Sequence, residues 1–380
     1  MTLRLKLTIG SIAVVLLANA LLSAVIVESL ERTWLQEVQN RVEIDLNSAR
    51  ASYSGHIESI ARYLAAASLD EALATSLLQS DRPEGRDRLA RLFEGSAMDF
   101  LVLLDARGQT VFRPRNPTCK GDDQTWNPLV EEALKTRRLA RGTILLPHER
   151  LLTEGSDLAA RTEFEGPPTP ASSPDSPARS DGMAVGAAVP ILASDGHLLG
   201  VLLGGNLLDR RYALVDEIRE QVFPGGLFED RQRGNVTVFR GDRRIATNVF
   251  QEDGARAVGT RMSAEVRQRV LVEGGTWVGP AFVVHDWYLT AYEPIRDPRG
   301  EVIGALYVGL LRAPFAQRQR AVTAVVLLAT LVATVGCLLL VFFLTTHVLR
   351  PIDRVVAMAQ RVIEGDLSSR TGIRPPGEMG

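Results

Sequence analysis

The chain has 380 residues, 46% hydrophobic and 23% charged, with a formal net charge of -2. That length suits two or three domains, and the balance excludes a disordered or fibrous chain and a basic nucleic-acid binder. Two cysteines, Cys119 and Cys337, exclude a disulfide framework, and five scattered histidines show no metal-ligand spacing, so neither metal nor cofactor is expected.

After residues 1–6, Leu7 to Val27 reads LTIGSIAVVLLANALLSAVIV without a charge. It is long enough to cross a bilayer core of roughly 30 Å, and in lipid it must be helical. A cleaved signal peptide is the alternative, because Ala18-Asn19-Ala20 resembles a cleavage site; the apolar run continues past it, which favours an anchor. From Val27 to Ala66 there is no proline, and Leu35, Val38, Val42 and Leu46 recur at helical spacing. A long helical stalk with further helices is expected over 28–97.

Residues 98–222 form the first expected module. DFLVLLDARGQTVFR, from Asp99, predicts strand, turn, strand, and NPLVEEALKTRR, from Asn127, predicts a helix. Residues 166–182 carry five prolines among small polar residues and predict a mobile insertion. Residues 223–316 repeat the plan. NVTVFRGDRRIAT, from Asn235, gives strand, turn, strand; SAEVRQRVLVEG, from Ser263, gives a helix stopped at Gly274-Gly275. Each module closes on a hairpin, VPILASDGHLLGVLLGGNL from Val189 and EPIRDPRGEVIGALYVGLL from Glu293. Shifted by 104 positions, these match at Pro190/Pro294, Ile191/Ile295, Gly196/Gly300, Gly200/Gly304, Leu202/Leu306, Gly205/Gly309 and Leu207/Leu311. Matches at proline and glycine point to duplication. The fold class is α+β: two tandem PAS-like modules, each a small antiparallel sheet with helices on one side.

Chemistry is sparse. No phosphate-cradling loop, metalloprotease helix or nucleophile elbow is present, and His148-Glu149 stands alone. Ligand-binding residues are expected instead. Arg113, Arg115 and Lys120 beside Trp126 suit an organic anion, through charge-assisted hydrogen bonds and an aromatic shield. Trp287, Tyr288 and Tyr292, with Tyr307, suit a second pocket. A solvated basic loop and ordinary core aromatics are the competing readings. A membrane-tethered extracytoplasmic enzyme, or a partner-binding module without its own output, is the alternative function.

Ala321 to Thr346 (321–346) is a second apolar span. Lys and Arg flank both sides equally, so charge does not set the orientation. Residues 347–380 follow with RPIDRVVAMAQRVIEGDL from Arg350. Pro351 suits a first helical turn, and Ile352, Val355, Ala359 and Val362 form one stripe ending at Gly365. Such a stripe implies a parallel homodimer.

Pro351, the apolar stripe, Gly365-Asp366-Leu367 and Glu378-Met379-Gly380 together resemble a HAMP linker of bacterial transmembrane receptors. VTVFRGDRRIATNVFQEDGARAVGT (Val236 to Thr260) and WYLTAYEPIRDPRGEVIGALYVGLL (Trp287 to Leu311) resemble double Cache sensor regions, of the Cache 3/Cache 2 fusion type. The resemblance implies a multi-pass inner-membrane receptor with a periplasmic sensor and membrane lipid around its spans. It would bind a small molecule and relay it through a cytoplasmic HAMP helix to a histidine kinase, chemoreceptor or cyclase output. A linker ending at Gly380 leads to the expectation of a truncated chain or an incomplete gene product, with the output in the complete receptor.

Overall fold

The computed structural model describes residues 3–70, 73–75, 83–164, 181–225, 227–228, 231–284 and 286–344. The linker residues from Pro351 to Glu378, and almost all of the proline-rich insertion, lie outside them. The exception is the insertion's end, where Gly182 opens a strand.

The chain divides into two units. Met1–Glu37 with Ala313–Gly380 holds two apolar helical stretches, Ile9–Ser29 and Ala321–Leu344, of 21 and 24 residues. At about 1.5 Å per residue they measure about 31 and 36 Å, long enough for a bilayer core. They correspond to the two expected spans, with the first displaced by two residues.

The second unit, Val38–Arg312, holds two five-stranded antiparallel sheets. The first contains β1 (Phe100–Asp105), β2 (Thr110–Phe112), β3 (Ala140–Leu146), β4 (Gly182–Leu192) and β5 (Leu198–Leu207), ordered β2-β1-β5-β4-β3. A small pair, β6 (Leu227–Phe228) and β7 (Arg231–Gln232), precedes the second sheet. That sheet contains β8 (Gly234–Arg240), β9 (Arg243–Thr247), β10 (Trp277–Val283), β11 (Asp286–Arg296) and β12 (Val302–Leu311). Its order is β9-β8-β12-β11-β10, the same arrangement strand for strand.

The repeated hairpins are β4–β5 and β11–β12, and their registers coincide. Pro190 faces Val201 as Pro294 faces Ala305, and Ile191 faces Gly200 as Ile295 faces Gly304. Both registers slip at the next residue. Gly196 and Gly300 hold φ of 83° and 90° in the turns, a region closed to most residues with a Cβ.

Helix packing follows from apolar spacing. In the helix Leu3–Ala67, Val42, Leu46, Ala49, Tyr53, Ile60 and Leu64 are buried, and the Tyr53 hydroxyl meets Thr143 Oγ1 at 2.8 Å. Asn127 accepts a hydrogen bond from the Leu129 amide, with Pro128 at the first helical position of Pro128–Thr136. Leu129, Val130 and Ala133 then join Val102, Leu104, Ile144 and Leu203 in the core on the first sheet. Ser263 likewise accepts from the Val266 amide to start Ala264–Arg267, which runs into a π-turn, Gln268–Val272. Val266 and Val270 are buried, and Gly274 ends the segment at φ 66°.

Candidate functional site

Two places gather polar groups that ordinary folding does not require. The first lies beside the first sheet. Arg113, just past β2, is fully buried between two acids: Nη2 donates to Asp122 Oδ1 at 2.5 Å and Nη1 lies 2.9 Å from Glu154 Oε1. Burial works against the charge on Asp122, yet Arg113 and hydrogen bonds from Thr110, Arg113 and Gln124 hold its carboxyl below the usual range. Glu154 has no such set of donors. Burial pushes it up to about 7, only partly opposed by Arg113, and its Oε2 has no hydrogen-bond partner.

Arg115 pairs with Asp157, Lys120 is exposed, and Trp126 is half-buried under the Arg150 guanidinium, 5.5 Å from its ring centre. The structure therefore brings Arg113 and Trp126 into one neighbourhood through Asp122 and Arg150, which lie 3.6 Å apart, while the charges of Arg113 and Arg115 are met by the chain's own carboxylates. Cys119 is a half-buried free thiol and Cys337 lies within the second apolar stretch.

A pH dependence follows. The folded chain keeps a proton on Glu154 that the unfolded chain releases, so this group stabilises most below about 4.5 and the benefit is lost as pH rises through about 7. Melting temperature measured against pH should fall across that window, and Glu154→Gln should flatten the slope. Parallel slopes for parent and variant would contradict this. Asp45 and Asp209 are both pushed up to about 6 by burial, so the comparison with the variant isolates Glu154.

The second place is a cavity of about 420 Å³ on the second sheet. Its lining includes Arg244 from β9, Tyr292 from β11, Thr260, and Trp277, Phe282 and Trp287 from the β10–β11 hairpin. Arg244 sits opposite Phe239 in register, is 4% exposed, and stacks 5.2 Å over the Phe239 ring. Nη1 donates to Thr260 Oγ1 at 2.7 Å, and Nε has no partner. Burial pushes the guanidinium pKa down, opposed by Tyr307 and Tyr292. Burial also pushes Tyr292 up to about 12 and Tyr307 well above its ordinary range, so both are neutral at physiological pH. The Trp277 indole N–H and the Tyr307 hydroxyl are buried without partners as well.

At the hairpin tip, Phe282 and Trp287 are 59% and 52% exposed and meet edge to face at 5.7 Å. Val284 between them holds φ 57°, a strained value for a β-branched residue.

Of the expected second-pocket residues, Trp287 and Tyr292 line this cavity, whereas Tyr288 and Tyr307 are buried in the sheet and are not in its lining. Arg244, Thr260, Trp277 and Phe282 were not anticipated. The available signal was Arg244 itself, a cation in the strand RRIAT followed by Ile245, Ala246 and Thr247, all buried.

With this geometry in hand, the family described as single cache domain 3 matches residues 206–322. Residues 206–322 are therefore similar to a Cache domain. The cavity and its buried arginine lie wholly within this matched segment. Among solved structures, the chain is similar to the periplasmic domain of Vibrio cholerae LuxQ, with 12% identity, a TM-score of 0.42, and 71% of this chain and 99% of that one covered. It is similar to the sensor domain of the V. cholerae histidine kinase DctB, with 13% identity, a TM-score of 0.40, and 73% and 98% covered. The ligand-binding domain of the Pseudomonas aeruginosa PAO1 amino acid chemoreceptor PctC, in complex with GABA, gives 15% identity, a TM-score of 0.33, and 73% and 98% covered. No curated protein matches the chain.

Proposed function

We propose that this chain is a transmembrane receptor whose sensor faces the outside of the cell and binds a small molecule, with an organic anion as the expected ligand. The observation that carries it is the position of the Cache segment, between two apolar stretches each long enough to cross a bilayer. The shared strand order of the two sheets supports two tandem PAS-like modules, over 98–222 and 223–316. The resemblance of Pro351, Gly365, Asp366 and Glu378 to a HAMP linker supports relay through the stripe Ile352, Val355, Ala359 and Val362 in a parallel dimer. Ligand binding moves such a receptor only through different affinities for its two signalling states.

Membrane topology tests this. With Cys119 and Cys337 changed to serine, a membrane-impermeant maleimide applied to intact cells should label Ser54→Cys, an exposed sensor position, and spare Arg354→Cys. Labelling in the opposite sense rejects the receptor reading.

A further inference from the structure

Among the described residues two arginines have buried side chains, Arg113 and Arg244, and their surroundings differ in one decisive way. Arg113 is held by two carboxylates. Arg244 is held by none: among the described residues its electrostatic neighbours are Tyr307 and Tyr292, both neutral. Arg240 of the same sheet pairs with Asp209 at 2.6 Å, and Arg256, in the segment after β9, pairs with Asp216 at 2.7 Å.

A guanidinium removed from water without a counter-charge costs several kcal/mol, and stacking on Phe239 with one hydroxyl acceptor offsets only part of that. The cost is retained where the missing charge arrives from outside. Arg244 lines a cavity of about 420 Å³, a volume suited to a small molecule, and its Nε still lacks an acceptor.

We propose that this cavity binds a small organic monocarboxylate with an apolar or aromatic body, the carboxylate on Arg244 and the body against Trp277, Phe282 and Trp287. The assignment deepens the receptor reading and rests on it. A carboxylate reaching the Arg244 guanidinium makes a charge-assisted hydrogen bond in a setting shielded from water. The Trp277 indole N–H, also without a partner, is a second donor on the same lining. Glu265 lines the cavity too, and its charge disfavours a second carboxylate on the ligand. The remaining cation of the lining, Arg261, is already paired with Asp242 at 3.1 Å. That charge balance selects monocarboxylates over dicarboxylates.

The test uses the full chain in nanodiscs, with benzoate, phenylacetate and hexanoate as probes, benzamide and phenylacetamide as neutral isosteres, and phthalate as the dicarboxylate. Melting temperature and titration calorimetry are the readouts. At least one monocarboxylate should raise the melting temperature, its amide should not, and phthalate should bind more weakly. Arg244→Met should weaken that acid by about 10- to 100-fold. Its ligand-free melting temperature should stay level or rise, because the uncompensated charge is gone; a purely structural arginine would instead give a fall. Trp287→Ala, at an exposed mouth position, should weaken the acid several-fold in a chain whose fold is intact.

Equal binding of acid and amide overturns the proposal, as does undiminished acid binding by Arg244→Met. A lack of any shift with all three acids overturns it too. If the sensor still labels from outside, those results reject this site and leave the receptor reading standing.

Discussion

Arg113→Met is expected to lower the stability of the sensor by about 3–5 kcal/mol, the range for stripping one partner from a buried ionic cluster. The guanidinium is fully buried and serves Asp122 and Glu154 together, so its loss leaves buried Glu154 beside the partly exposed Asp122 with no cation between them. Thermal melting of the full chain at pH 7 should register a large fall. The fall should shrink at pH 5, where Glu154 carries its proton, because its ordinary range is already shifted up to about 7. Adding Glu154→Gln should recover part of the loss at pH 7. A melting temperature close to the parent's, in either background, would show that the cluster is not what holds this edge of the sheet.

Gly304→Ala is the second large effect, expected near 3 kcal/mol. A Cβ at Gly304 would stand 2.0 Å from the Phe239 carbonyl oxygen and 2.6 Å from the Met183 methyl carbon. The first obstacle is backbone of the neighbouring strand β8, which cannot rotate away, so β12 must shift against its partners. Gly55→Ala serves as the control. It lies in a helix with nothing within 4 Å of the added carbon, and should be neutral or stabilising by roughly 0.5–1 kcal/mol. Similar melting curves for both variants would remove the close-approach explanation of the strand glycines.

Those glycines are also where the sequence was most legible. Gly304 and its counterpart Gly200, with the two prolines, marked the repeat before any sheet was known, and the matching registers of β4–β5 and β11–β12 follow the same positions. Capping residues were equally plain, since Asn127 and Ser263 act locally. Strands β3 and β10 were not anticipated, and both are sheet edges. In β10, Gly279 and Pro280 read as breakers, yet an edge strand tolerates proline because one side of its ladder is unpaired.

The site residues were harder for a different reason. Arg113 looked free in the chain because Glu154, which meets it, comes about forty residues later. Arg244 carried one signal, a cation inside a strand, and only the assembled sheet shows that no acid among the described residues pairs with it. Pattern reveals which residues share a face; whether a charge on that face is answered depends on elements remote in sequence.

The strand order has a consequence for biosynthesis. In each sheet the last strand made, β5 or β12, is inserted between two strands completed earlier, so β1 and β4, or β8 and β11, wait with open edges. A nascent chain halted between Arg296 and Val302 would present β8 and β11 as unclosed ribbons, templates for pairing with another molecule. Synthesis of this protein is thus exposed to misassembly until β12 emerges, and a chaperone that shields strand edges would act in that interval.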